Sequence, residues 1–419
     1  MGRKLLILVG SLFVIFAFVQ NRISSNIFIT SERVNEYHSE IHAENISNSV
    51  MDFAVTHLIE NLNWRDSLTV EDYENADISL SFNDINQYTL NVQTQASYNG
   101  KLATTNVELW QVPLSYYAYF TDIEPNNIYF IGPNIIPGLP GDILNGPVHT
   151  NGVMRMVGNP VFNGPVTTPN MWVGHPSFTN NPEFNGTTDF NAPQEFLHQA
   201  DYSGLINAAQ NSNLAFNSDI AVRFLANGNI QIRDYPNGPE NVYHASDLAN
   251  GNGVIASTGT IHVKGTVNGS YSVYSTEDII IDGDLLYNED PVQNPNSTDM
   301  LGLVSEKNVR VHQNAHQDNG TQNVNVHASI VAKGSSFGAD AHDSGSPRGN
   351  LNLLGGIIQV ERGPVGTFNS NAGTSTGYMK NYNYDTRFQE TVPPFFPRRQ
   401  QYGIRSWFTT VSTDYSNPL

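Results

Sequence analysis

Several groups of residues have the types and spacings that chemistry uses. Gly334-Ser-Ser-Phe-Gly338 fits the G-x-S-x-G pattern of a nucleophilic serine, which needs a sharp strand-to-helix turn beside a histidine base and an acid. The residues that follow, Ala-Asp-Ala-His-Asp-Ser-Gly-Ser-Pro, cannot start a packed helix, so the segment reads as a flexible loop. His312 and His316 stand four apart with Asp318 nearby, a spacing that would bring two imidazoles together on a helix. Their neighbours Gln313, Asn314, Gln317, Asn319 and Gly320 read instead as a polar surface loop. Asp340, His342 and Asp343 offer ligands to a hard cation, and Asp282 and Asp284 offer them to calcium, although spaced acids at strand corners are usually just solvated. His149, in Gly146-Pro-Val-His-Thr-Asn151, has no nucleophile or carboxylate pair close to it and reads as a buried side chain bonded to a neighbouring strand. No catalytic or cofactor-binding residue is assigned, and calcium is the one cofactor the spacings leave open.

Composition narrows the classes further. Thirty-nine acidic against 20 basic residues give a net charge of -19, which repels the phosphates of nucleic acids and anionic lipids, so no nucleic-acid partner is expected. There is no cysteine, which removes disulfides, cysteine-ligated zinc and thiol catalysis together without fixing the compartment. Only 14% of residues are charged whereas 51 are Asn, a residue that tolerates the left-handed turns of β proteins.

The elements that would position any site follow from a repeat. Leu144-Asn-Gly-Pro-Val148 has the pattern apolar, any, small, any, apolar or β-branched. It returns as Phe162-Asn-Gly-Pro-Val166, Phe184-Asn-Gly-Thr-Thr188, Val263-Lys-Gly-Thr-Val267, Ile281-Asp-Gly-Asp-Leu285, Val326-His-Ala-Ser-Ile330 and Leu353-Leu-Gly-Gly-Ile357. Separations of 18 (144 to 162), 22 (162 to 184) and 18 (263 to 281) suit the coils of a solenoid, with longer gaps as insertions. The small middle residue marks a bend or a place where another backbone comes close. The expected fold is mainly β: a membrane-anchor helix, a helix-plus-sheet module, then a right-handed parallel β-helix with insertions.

In chain order, residues 1–30 form the anchor or signal segment. Arg3 and Lys4 precede an uncharged run from Leu5 to Val19, which fits a signal-peptide core by length. Ala17-Phe18-Val19 is a poor cleavage site, and Ile23, Ile27, Phe28 and Ile29 prolong the run, so an uncleaved single-pass anchor is expected. The basic flank would keep the N-terminus cytoplasmic and the remainder outside.

Residues 31–125 form the second module. Val34, Tyr37, Ile41, Ile46, Val50, Phe53, Ala54, Leu58 and Leu62 recur at three and four, an amphipathic helix with Thr30 or Ser31 as N-cap. Residues 64–77 read as loop, Ile78–Phe82 and Tyr88–Val92 as half-buried strands, and Asn99-Gly100 as a hairpin turn. Tyr116, Tyr117, Tyr119 and Phe120 read as an aromatic strand leading toward the first coil, with the joint near residue 125. The solenoid spans 126–395, interrupted at about 194–250 by a helix and by a hairpin around Asn227-Gly228. A tail at 396–419 follows, and the stretch from Gly377–Asp385 through Pro393–Pro397 to Trp407 is expected to close the open end of the coil with aromatic and proline bulk.

The helix segment Ala43-Glu-Asn-Ile-Ser-Asn-Ser-Val-Met-Asp-Phe-Ala-Val-Thr-His-Leu58, behind an anchor and before a small sheet, resembles the start of a PilX-type pilin-like protein. Gly146-Pro-Val-His-Thr-Asn151, Met300-Leu-Gly-Leu-Val304 and Tyr382-Asn-Tyr-Asp-Thr-Arg387 resemble an uncharacterised β-solenoid domain of bacterial envelope proteins. The resemblance implies a bacterial cell-envelope protein associated with a type IV pilus-like or secretion system. Its implied partners are the membrane and other pilin-like subunits or surface glycans, and it implies no established chemistry. Type IV prepilins are cut after a Gly that leaves Glu fifth; here Gly2 would leave Ile7 there and Gly10 would leave Ile15. The expectation is a non-enzymatic, membrane-anchored surface protein with a structural or adhesive role. The alternative is a polysaccharide-degrading lyase or glycosidase on the same scaffold, which would need a base and acids converging in one groove.

Overall fold

A computed structural model describes residues 2–136, 138–248, 251–369 and 373–413. The chain is mainly β with a long N-terminal helix, and it divides into two compact units: Met1–Val112 with Gln401–Leu419, and Pro113–Gln400.

In the first unit, Gly2–Glu60 is one continuous helix. The N-cap expected at Thr30 or Ser31 is absent, because neither Gly nor Pro interrupts the chain between Gly10 and Glu60. Thr30 Oγ1 instead donates back to the carbonyl of Asn26 at 2.7 Å within the helix. The apolar side chains from Leu5 to Ile29 are exposed, as are Val34, Tyr37 and Phe53 of the expected stripe. Burial begins at Ser39, and Ile46, Met51, Ala54 and Leu58 pack on Leu80, Leu90, Val92, Val107 and Leu109 of an antiparallel sheet.

That sheet consists of Leu68–Tyr73, Ala76–Asn86, Thr89–Tyr98, Lys101–Pro113 and Arg398–Thr413, in that order. Asn99 and Gly100 form the expected turn, with φ of 47° and 73°. Two expectations fail. Leu68–Tyr73 is a strand and not loop, since Leu68↔Leu80 and Val70↔Ile78 pair it to the sheet edge. Arg398–Thr413 of the C-terminal tail does not close a coil: it is the other edge strand here, and Tyr402 is buried among the helix and sheet side chains. An edge strand with free N–H and C=O groups recruits another strand wherever the chain can reach it.

The second unit is built from parallel ladders. One of them runs through Ala215, Ala256, Tyr274, Val304, Val331, Ile358, Phe120, His149, Thr167 and Asp189, each the register partner of the next. Spatial order therefore departs from chain order, because Tyr119–Ile123 sits between Pro347–Glu361 and Val148–Thr150. This makes Tyr119–Ile123 part of the ladder, so the joint falls near residue 112 and not near 125. A second ladder passes through Ile220, Ile261, Ile279, Val309 and Phe337. A third passes through Leu285, Val326, Leu353 and Tyr382.

The repeat is visible in these registers. Leu144, Phe162 and Phe184 are partners, as are Val148, Val166 and Thr188, so the separations of 18 and 22 are ladder steps. A Cβ on Gly186 would strike the backbone of Gly164, and one on Gly164 the backbone of Gly146, so the close approach expected at the small residue is present. Ala328 and Gly355 stack the same way, with φ of 154° at Gly355. The copies at 263 and 281 behave differently. Val263 pairs with Ile281, but a register shift places Gly265 beside Leu285, and Gly283 faces the Asp318 carboxylate of an intervening loop.

Asparagine frequency also has a structural cause. Asn185 donates to Asn163 and Asn163 to Asn145, both at 2.8 Å, while Asn381 donates to Asn352 at 2.7 Å and Asn352 to Asn325 at 2.9 Å. Stacked amides donate and accept along a parallel ladder, so each exposed Asn satisfies its neighbour.

The expected hairpin is formed by Ile220–Phe224 and Ile230–Asp234, which run antiparallel with Gly228 at φ 83°. With Asn241–Tyr243 it continues the ladder domain at the end of the Ile220 ladder. The helix-like set near 196–210 contains the helix Ser203–Asn211, which buries Leu205, Ala208 and Ala209.

Candidate functional site

The residues singled out for chemistry are placed apart and mostly engaged with protein. Gly334–Gly338 is not a free loop: Phe337–Ala339 is a strand parallel to Val309–Val311, and Asn308 Oδ1 accepts from the Ser336 amide at 3.3 Å. No helix follows it, so the turn a nucleophilic serine requires is not formed. His316 lies on a short 3-10 turn, Ala315–Gln317, and its Nδ1 is 3.3 Å from the Tyr378 hydroxyl. Asp318 turns away to accept from Lys264 at 2.6 Å.

Asp282 is not simply solvated, because its carboxylate is 3.0 Å from the His262 ring. Asp284 accepts from the amide and side chain of Asn325 and from Asn319. Asp340 pairs with Arg310 at 2.9 Å. Among the described residues, no three His, Asp or Glu side chains gather as a metal site would require.

His149 is fully buried, with Nδ1 2.8 Å from Thr167 Oγ1 and Nε2 3.1 Å from Asn151 Oδ1. Thr167 is its partner on the next strand, the arrangement read from the sequence. Desolvation by burial lowers its pKa, which favours the neutral ring.

A concave feature of the ladder domain was not signalled by any sequence motif. Where Pro347–Glu361 meets Tyr119–Ile123, the apolar core is divided into two clusters, one running from Leu214 to Tyr378 and the other holding Tyr119, Phe130, Met156 and Phe162. A cavity of about 450 Å³ lies at this seam, lined by side chains of both clusters, including Leu353, Ile357, Phe130 and Tyr119. On one ladder Pro347–Glu361 is followed by Tyr119–Ile123, and on another by Gly373–Asn383. Two segments far apart in sequence thus share one layer.

Charged groups line the seam in balanced pairs. Arg362 Nε donates to the Tyr119 hydroxyl at 2.9 Å, Tyr119 donates to Glu124 at 2.5 Å, and the Arg362 guanidinium lies 4.1 Å from the centre of the Phe130 ring. Lys380 donates to Asp142 at 2.9 Å, and Asp142 also accepts from the Ile131 amide at 2.8 Å. Burial opposes ionisation of Asp142, but the Lys380 and Arg362 charges together hold its pKa below the usual carboxylate value. Burial likewise pushes the Tyr119 hydroxyl well upward, so it stays a protonated donor.

Gln359, only 2% exposed, also lines the cavity. Its side-chain oxygen accepts from the Phe337 amide at 2.9 Å and the Gly363 amide at 3.3 Å. The sequence signal beside it is the charged pair Glu361-Arg362, directly after the mainly apolar stretch Leu353–Val360.

No family model matches the chain, and no curated protein matches it. The solved structure of the competence-associated pilin ComZ from Thermus thermophilus aligns with 90% of this chain and 97% of its own, at 12% identity and a TM-score of 0.33.

Proposed function

We propose that this chain is a non-enzymatic, membrane-anchored envelope protein of pilin-like organisation. Its ladder domain would form a right-handed β-helix displayed outside the cytoplasmic membrane in a structural or adhesive role. The observation that carries this reading is the single helix Gly2–Glu60, whose apolar first half is exposed while its second half is packed on a sheet. It is long and apolar enough to cross a membrane. A run of exposed Leu, Ile, Val and Phe on a rigid helix needs lipid or other apolar helices around it. Arg3 favours a cytoplasmic N-terminus, and neighbouring pilin-like subunits would contact the same apolar surface.

The test is fractionation and protease access in cells expressing the full chain. The protein should stay with membranes through a carbonate wash, and protease added to intact spheroplasts should digest the ladder domain. Deleting residues 2–29 should release it. A soluble full chain, or a ladder domain cleaved only after lysis, would overturn the proposal.

A further inference from the structure

We propose that the seam cavity is a binding site for an uncharged, mainly apolar small molecule carrying a carbonyl or similar oxygen acceptor. The volume of about 450 Å³ falls in the range of ligand pockets, roughly 300–1,000 Å³. The cavity opens to solvent where two clusters of one core are divided, so its mainly apolar wall is left uncovered by the protein itself.

The acceptor follows from Gln359. Two backbone N–H groups hold its side-chain oxygen, which fixes the orientation of the amide and directs Nε2 the other way. Among the described residues Nε2 has no protein acceptor, although the side chain is almost wholly buried and lines the cavity. The donor therefore opens only onto the cavity, where a ligand oxygen would supply its acceptor.

The absence of net charge on the ligand follows from the pairing at the wall. Lys380 is held by Asp142, and Arg362 lies 3.8 Å from Glu124. An anionic ligand would have to displace a carboxylate already in place, and a cationic one a guanidinium or ammonium. Leu353, Ile357, Phe130 and Tyr382 supply the apolar surface for the rest of the molecule.

The site lies wholly within residues 113–400 and does not depend on the anchoring proposed above. It can be tested by ligand-observed fluorine NMR on the full chain in lipid nanodiscs, with empty nanodiscs as the blank. The probes are 4-fluoroacetophenone, fluorobenzene and 4-fluorobenzoate. The ketone should bind about tenfold more tightly than fluorobenzene, the worth of one hydrogen bond, and the benzoate should bind most weakly. Gln359→Glu keeps an oxygen for the Phe337 and Gly363 amides and removes the donor, so it should weaken only the ketone. Ile143→Trp, at a half-exposed position on the cavity wall, should weaken ketone and fluorobenzene together without disturbing the core. No binding above the blank, tightest binding by the benzoate, or equal loss of ketone and fluorobenzene in Gln359→Glu would each overturn the proposal.

Discussion

Ile358 and Phe120 are register partners in one parallel ladder, so a strand near the start of the ladder domain is inserted after one near its end. Phe120 is 1% exposed and lies against the rings of Tyr117 and His149, which places it where the two parts of the stack meet.

Phe120→Ala should therefore cost about 3–5 kcal/mol, as truncation of a buried aromatic does. Hydrogen exchange should quicken at both 148–167 and 354–361, the segments on either side of this strand in the ladder. Faster exchange confined to 148–167 would show that the ladder does not pass through Phe120.

Glycine substitutions separate close backbone approach from a merely bent strand. Gly164→Val must push a side chain into the Gly146 backbone, whereas Gly283→Val meets only side-chain atoms of Asp318, Oδ2 through Cβ, on a loop that can shift without opening a ladder. The first should cost about 3 kcal/mol and the second about 1 kcal/mol or less in denaturant melts. Gly204→Ala lies in the helix Ser203–Asn211 with only a Phe395 ring carbon at 3.5 Å, and should stabilise by about 0.5–1 kcal/mol.

Arg362→Met removes the cation that faces Glu124 and Tyr119 while keeping an apolar stem. The buried carboxylate is then uncompensated, and a loss of about 3–5 kcal/mol is expected. Lys380→Met should cost less, because Asp142 keeps the Ile131 amide and the Arg362 charge, and Lys380 is partly exposed. The ordering of the two melting temperatures checks this, and the reverse order would contradict the network as drawn.

Stability should fall on acidification in part through His149. Burial lowers its folded pKa, so below the unfolded value of about 6.5 the unfolded chain takes up a proton that the folded chain refuses. Its contribution is full at pH 7.5 and declines below about 6.5, by up to about 1.4 kcal/mol per pH unit. Burial also lowers the pKa of His327, which adds in the same direction. Desolvation raises Asp122 to about 6, which acts in the opposite direction between about pH 4 and 6. Comparing the pH dependence of wild type and His149→Gln isolates the one residue. The variant should be less stable at pH 7.5 and should lose less on going to pH 5.5, and parallel profiles would show that His149 does not titrate with folding.

What the sequence determined by itself is local. The hairpin at Asn99-Gly100 follows from two residues that accept positive φ, and the continuity of the helix to Glu60 from a run without Gly or Pro after Gly10. The partnership of Leu144, Phe162 and Phe184 follows from copies spaced closely enough to stack as neighbours. These are periodicities of side-chain size and polarity, which a chain carries whatever it packs against. Tertiary structure decided which free edges met. That Tyr119–Ile123 follows Pro347–Glu361, and that Arg398–Thr413 joins the N-terminal sheet, depend on exposed N–H and C=O rows, whose pattern is nearly the same on every strand. The Gln359 cavity is a product of that choice, since its walls come from segments that no sequence spacing connects.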